Sequence, residues 1–382
     1  MKPTLLGAAL CSLCALYFAA PARAADFTTT EGYNATCNAM AYLKASPATL
    51  ADDDQRVAFV VCNDTALVKQ IVTWADQGMR RLEAEKPSQQ QVVDEVGKEI
   101  DYALGQLAAS REVLEKIHLG TRKSLRLVPA QWQLDLNGDG KVDIWEKYFY
   151  AIPRRSTQPA NFSMPSNSDA YYEREYRLDA AIRVDQSDVL WALSYHDFIE
   201  GLLNALRAYR VDEKFNFTLT HPERYSQAVD LMMQGLDNSE KTRLSVLAEK
   251  SNDEEWIASP GQTDSAFPVA LDAQDFATWG KTVAELKALM QGRKLLSFPQ
   301  HGTLAAQAQF CGAGYGLDLH ALSQHPPADL NEGFFTRKTG AVNAYCRKID
   351  ARHPLSSLPA MLALSEKTGT GMHLLRYLFW VN

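Results

Sequence analysis

Residues 135–146 read Asp-Leu-Asn-Gly-Asp-Gly-Lys-Val-Asp-Ile-Trp-Glu, so oxygen-bearing side chains alternate with turn residues over a short stretch. A hard cation of the size of calcium demands that spacing. It needs six to eight oxygens at about 2.4 Å, and one segment can wrap it only if ligands alternate with residues that turn the chain. Asp135, Asn137 and Asp139 would supply side-chain oxygens, Gly140 the sharp turn and Lys141 its backbone carbonyl. Asp143 would act directly or through water, and Glu146 would close the shell with both carboxylate oxygens. Such a bidentate closure favours Ca2+ over magnesium. Four carboxylates in one loop repel one another, so a cation there orders the segment.

These positions resemble the EF-hand calcium loop at each defining place, and the resemblance implies a calcium site at Asp135, Asn137, Asp139, Lys141, Asp143 and Glu146. The flanks depart from the family. Pro129 stands six residues before Asp135, Leu125–Val128 reads as extended, and the exiting helix runs only from about Ile144 to Tyr150 before Pro153. Paired sensor loops join through the eighth position, here Val142, and the chain carries no second loop of this type. The resemblance therefore implies a fixed structural ion rather than a sensor that opens an apolar groove.

A second constellation lies on a helix expected from Ser187. At about 100° per residue, His196, Glu200 and Arg207 fall on one edge of its polar face, with Asp197 and Asn204 beside them. A His and a Glu four apart can ligate a metal or pass protons, and more commonly form a solvated or half-buried polar stripe. Complete zinc-enzyme, serine-nucleophile and phosphate-loop signatures are missing. His320 and His325 lie near Cys311, and Cys311-Gly-Ala-Gly-Tyr-Gly316 reads as a flexible turn.

The 382 residues, 46% of them hydrophobic and 22% charged, have an ordinary globular composition, which excludes wholesale disorder, collagen-like structure and a coiled-coil rod. Formal charge is −7, and becomes −9 once residues 1–24, with Lys2 and Arg23 and no acid, are removed. That balance argues against nucleic acid as a partner. Lys2, an apolar run from Leu5 to Ala20 and the small residues ending at Ala24 read as a signal peptide cleaved after Ala24, with export to the periplasm or medium. Cys11 and Cys14 precede that cleavage point, which disfavours a lipoprotein. No later stretch approaches the roughly 20 apolar residues of a membrane span. Of the three pairings open to the remaining cysteines, Cys37–Cys62 with Cys311–Cys346 is expected, because each pair is near in sequence.

The elements that must position these residues are helical. From Asn63, read as an N-cap, apolar residues recur at Val68, Ile71, Val72, Ala75, Met79 and Leu82. After Pro87, Val93 to Ile117 step by three and four, so the two segments form an antiparallel hairpin. Further helices are expected at about 187–210, 222–234, 238–250, 273–291 and 357–367, the 273–291 helix closing at Gly292. Breaks at 154–170 and 251–268 divide the mature chain into 25–153, 154–250 and 251–382, packed as one continuous unit. The apolar run Leu374–Val381 reads either as a last core segment or as a partner-binding patch. Asp185–Tyr209 and Asp275–Leu296 also resemble segments of exported bacterial proteins.

The expectation is a mostly α-helical multi-helix domain with long loops, exported, holding one Ca2+ and acting as a binding or assembly factor for a protein or small-molecule ligand. The alternative is a cell-envelope hydrolase worked by His196 and Glu200.

Overall fold

The computed structural model describes residues 24–43, 49–154, 168–268, 270–297, 311–331, 334 and 340–358. In chain order its helices are α1 (Thr30–Leu43), α2 (Asp53–Glu85), α3 (Gln89–Leu114), α4 (Ile144–Lys147), α5 (Asp169–Glu175), α6 (Gln186–Ala208), α7 (Pro222–Ala248), α8 (Ala273–Met290) and α9 (Leu319–Gln324). The fold is mostly helical. Short strand pairs of two or three residues tie the connections, among them Arg126–Leu127 against Ile182–Arg183.

Local chemistry sets the helix ends. Asp52 caps α2 by accepting from the Gln55 N–H at 2.8 Å. Ser88 and Gln91 form a capping box at the start of α3, as Asp185 and Asp188 do for α6 and Asp272 and Asp275 for α8. Gly292 follows α8 with φ +69°, the left-handed turn that glycine adopts without a steric penalty.

Sequence reading misplaced three boundaries. Asn63 is not an N-cap: it lies inside α2, buried, and its Nδ2 donates to the Gln106 carbonyl and Ser110 Oγ at 2.9 and 3.0 Å. The segments expected at 222–234 and 238–250 are one helix, α7. Gly235 sits in its middle because the Phe198 ring would come within 2.7 Å of any Cβ there, so the glycine serves packing and does not mark an end. The helix leaving the acidic loop is also shorter than expected, ending at Lys147. Most of the 357–367 segment, the run 374–381 and residues 1–23 lie outside the described residues.

Helices α2 and α3 form the expected antiparallel hairpin, and α6 and α7 form a second one. Ser194 Oγ on α6 donates to the Gly235 carbonyl, and Asn238 Nδ2 on α7 donates to Asp197 Oδ2. The largest apolar cluster among the described residues joins Phe27, Phe59, Val113, Ile117 and Trp132, where α2 and α3 meet the segment ahead of α1. A second cluster brings together Ile152, Val246, Trp256, Phe267 and Phe276, drawing on each of the three segments that sequence reading separated. Both expected disulfides are formed, Cys37–Cys62 and Cys311–Cys346, with Cα–Cα separations of 5.3 and 5.6 Å. No helix among the described residues is long and apolar enough to cross a membrane.

Candidate functional site

The loop 135–146 is wound by its own side chains. Asp135 Oδ1 accepts from the Gly138 N–H at 2.7 Å and its Oδ2 from the Gly140 N–H at 3.1 Å. Asn137 Oδ1 accepts from Asp139 N, and Asp139 Oδ1 from Lys141 N, at 3.0 and 2.9 Å. These local bonds are what Asp and Asn favour in turns. Gly138 and Gly140 adopt φ of +74° and +87°. Glu146, on α4, reaches back over the loop. Its Oε1 accepts from Leu136 N and Asn137 N at 2.8 and 3.0 Å, and its Oε2 from Asp143 N at 2.8 Å. Its side chain is fully buried, the carboxylate satisfied by backbone amides rather than by a cationic side chain.

Thr73 Oγ1 on α2 donates to the Leu136 carbonyl at 2.8 Å and docks the loop on the hairpin. An open cavity of about 510 Å³ lies between α1, α2 and the loop, lined in part by Tyr33, Cys37, Cys62, Thr65, Asp135 and Val142. The donors fit a hard cation, being carboxylate, amide and carbonyl oxygens. The loop carboxylates are nevertheless turned to the backbone and do not gather three oxygens within 4.8 Å of one another.

The second sequence-predicted constellation is buried. His196 and Glu200 do not lie on a solvated edge: they are 5% and 2% exposed, because the polar face of α6 packs on the α2–α3 hairpin. His196 Nδ1 donates to the Ala192 carbonyl at 2.8 Å, and Nε2 faces Asp64 Oδ1 at 3.2 Å. Burial works against the imidazolium, but Asp64 and the Ala192 carbonyl outweigh it and raise the pKa to about 9. Ser110 Oγ donates to the same Asp64 oxygen at 2.6 Å. Glu200 Oε1 accepts from Arg111 Nε at 2.9 Å, and Asp197 is pushed up to about 6, chiefly by burial.

Arg207 is farther along, half-buried, forked onto Asp101 at 3.0 and 2.8 Å, with Arg224 on the same carboxylate. Each of the three residues thus has its own partner on another helix, and none lines the cavity beside the loop. His320 Nδ1 donates to the Met290 carbonyl, while His325 contributes its carbonyl to the Tyr345 hydroxyl.

Sequence reasoning missed a third grouping. Lys123 Nζ contacts Asp185 Oδ2, Glu255 Oε2 and Glu249 Oε1 at 3.0, 2.7 and 2.5 Å. The three carboxylates present oxygens within 4.8 Å of one another, and the chain's own ammonium bonds to each. Burial raises Glu255 and, with the neighbouring Asp185 carboxyl second, moves Glu249 up to about 7. Asp185 is held below the usual carboxylate range: burial acts upward, but bonds from Glu249, Ser187 and Lys123 exceed it. Separations of 62, 126 and 132 residues leave no local sequence signal for this grouping.

No family model, curated protein or solved structure matches the chain.

Proposed function

We propose that this is an exported calcium-binding protein in which residues 135–146 hold one Ca2+ as a structural ion, and that the molecule serves as a binding or assembly factor. The observation that carries the calcium reading is the winding of the loop. Asp135, Asn137 and Asp139 each brace the backbone ahead of them, Gly138 and Gly140 take left-handed turns, and Glu146 closes over the start of the segment. Asp135, Asn137, Asp139, Lys141, Asp143 and Glu146 are the residues that would hold the ion, Lys141 through its carbonyl. Bound there, calcium would offset the repulsion of four carboxylates and fix the path between Trp132 and α4.

Export is supported by the two disulfides and by the apolar N-terminal run ending in small residues. A binding role is favoured over hydrolysis because His196 and Glu200 are committed to Asp64 and Arg111 inside the helix packing. The open cavity against the loop is where a ligand would meet the ion-bearing segment.

Calorimetric titration of the oxidised protein with CaCl2, paired with thermal unfolding in excess calcium and in chelator, tests the site. One ion per chain and a melting temperature that climbs with calcium concentration are expected. Heat of binding unchanged in Asp135→Ala and Glu146→Ala would place the ion elsewhere.

A further inference from the structure

The Lys123 grouping stands where three remote pieces of the chain meet. Asp185 caps the N-terminus of α6, Glu249 is the C-cap of α7, and Glu255 opens the turn that pairs with Ser265. Lys123 reaches them from the segment between α3 and the Arg126–Leu127 strand. A cleft of about 360 Å³ lies against it, lined in part by Thr121, Asp185, Ser187, Ser245, Glu249 and Ser251.

Counting charges on this junction gives one ammonium to three carboxylates. Glu255 is 1% exposed and its oxygens accept from Lys123 and from the Asp253 N–H. Asp185 Oδ1 is occupied by the Ser187 and Asp188 N–H groups of the α6 cap. Asp188, which accepts from the Asp185 N–H, is raised well above the usual range by burial and by Asp185. Glu249 is the member placed least favourably for a negative charge, because it ends α7, where the helix dipole is itself negative. Ser251 Oγ donates to it at 2.7 Å, and Lys250 and Ser245 border the same cleft. Arg126 and Arg183 are engaged with Glu254 and Asp253 instead.

We propose that this junction is a proton-dependent latch: a proton shared between Asp185 and Glu249 lets Lys123 hold the end of α7 and the loop 249–265 against the start of α6, and its loss loosens that loop and opens the cleft. The direction follows from linkage. Glu249 titrates higher in the closed form than its ordinary 4.5, so the closed form binds the extra proton and weakens as pH rises. With closed and open values of about 7 and 4.5, the opening equilibrium changes roughly thirtyfold between pH 5.5 and 8.5.

Hydrogen exchange on the whole oxidised protein, corrected for intrinsic amide chemistry, reads this directly. Amides of residues 249–265 are expected to lose protection roughly tenfold to thirtyfold from pH 5.5 to 8.5. Glu249→Gln, which mimics the protonated side chain, should stay protected at both pH values, with a response under about threefold. Wild-type protection that changes less than threefold, or a Glu249→Gln variant that keeps the wild-type response, would overturn the latch. Carboxyl NMR of the wild type supplies a second reading: a Glu249 carboxyl that titrates near 4.5 refutes it whatever the variant does.

Discussion

In the loop 135–146 the buried carboxylate of Glu146 finds donors nine and ten residues away, whereas under α6 His196 and Glu200 find theirs 132 and 89 residues away. Both regions bury charged groups, and they balance them by different means. Loop carboxylates are answered by backbone amides, which are available wherever the chain turns. The α6 groups are answered by Asp64 and Arg111, which arrive only when the α2–α3 hairpin docks. The first arrangement is a local device, and it is the one proposed here to hold a structural ion. The second is a tertiary lock whose charges are mutual ligands, and removing one partner strands the other.

The sharpest way to break this contrast is Glu200→Ala. It leaves the Arg111 guanidinium half-buried with only Glu115 at its edge, and a loss of about 3–5 kcal/mol in urea unfolding is expected. A loss below about 1 kcal/mol would mean that Arg111 turns to water and the α6 layer is no lock. His196 gives the next largest effect, through pH. Its folded pKa of about 9 lies above the ordinary 6.5, so its contribution is complete below about pH 6.5 and disappears as pH rises through 9. The stability gap between wild type and His196→Gln should shrink by about 3 kcal/mol from pH 6 to pH 10. A gap that stays constant would show that the Asp64–His196 pair is not ionic.

The loop should respond in the opposite manner. Asp139 is exposed and braces only the Lys141 N–H, so Asp139→Ala in chelator is expected to alter stability by no more than about 0.5 kcal/mol. Its calcium affinity should fall at least about tenfold in calorimetric titration. A variant that unfolds readily in chelator would make the loop a lock like the α6 layer, and unaltered affinity would remove Asp139 from the ion's shell.

Sequence reading succeeded where cause and effect are close along the chain. The α2–α3 hairpin, the limits of α6 and α8, the Gly292 turn and both cysteine pairings follow from periodicity, caps and short separations. The failures share one cause. Asn63 has the chemistry of a cap and is instead a cross-helix donor, since what decides its role is Ser110, 47 residues on. The division of 222–250 into two helices failed because periodicity does not reveal the Phe198 ring packed against Gly235 in the middle of α7. The edge of α6 that holds His196 and Glu200 was legible as one face, but nothing along α6 announces that the opposing helices carry Asp64 and Arg111. Lys123 with Asp185, Glu249 and Glu255 lies beyond local reading for the same reason.

Among the described residues a hydrogen bond from Thr73 joins the two regions, and it provides the most discriminating test. Thr73 Oγ1 holds the Leu136 carbonyl from α2, the helix that also presents Asp64 to His196. Thr73→Val keeps the shape of the side chain and removes the donor, so about 1 kcal/mol of stability should be lost. If loop and lock are separate devices, calcium should raise the melting temperature of this variant as much as it does that of the wild type, and the pH response of His196 should be unaltered. A reduced calcium effect would instead show that the ion acts on the hairpin through Thr73. The local device would then feed the tertiary one, and filling the loop would tighten the helix packing that buries His196.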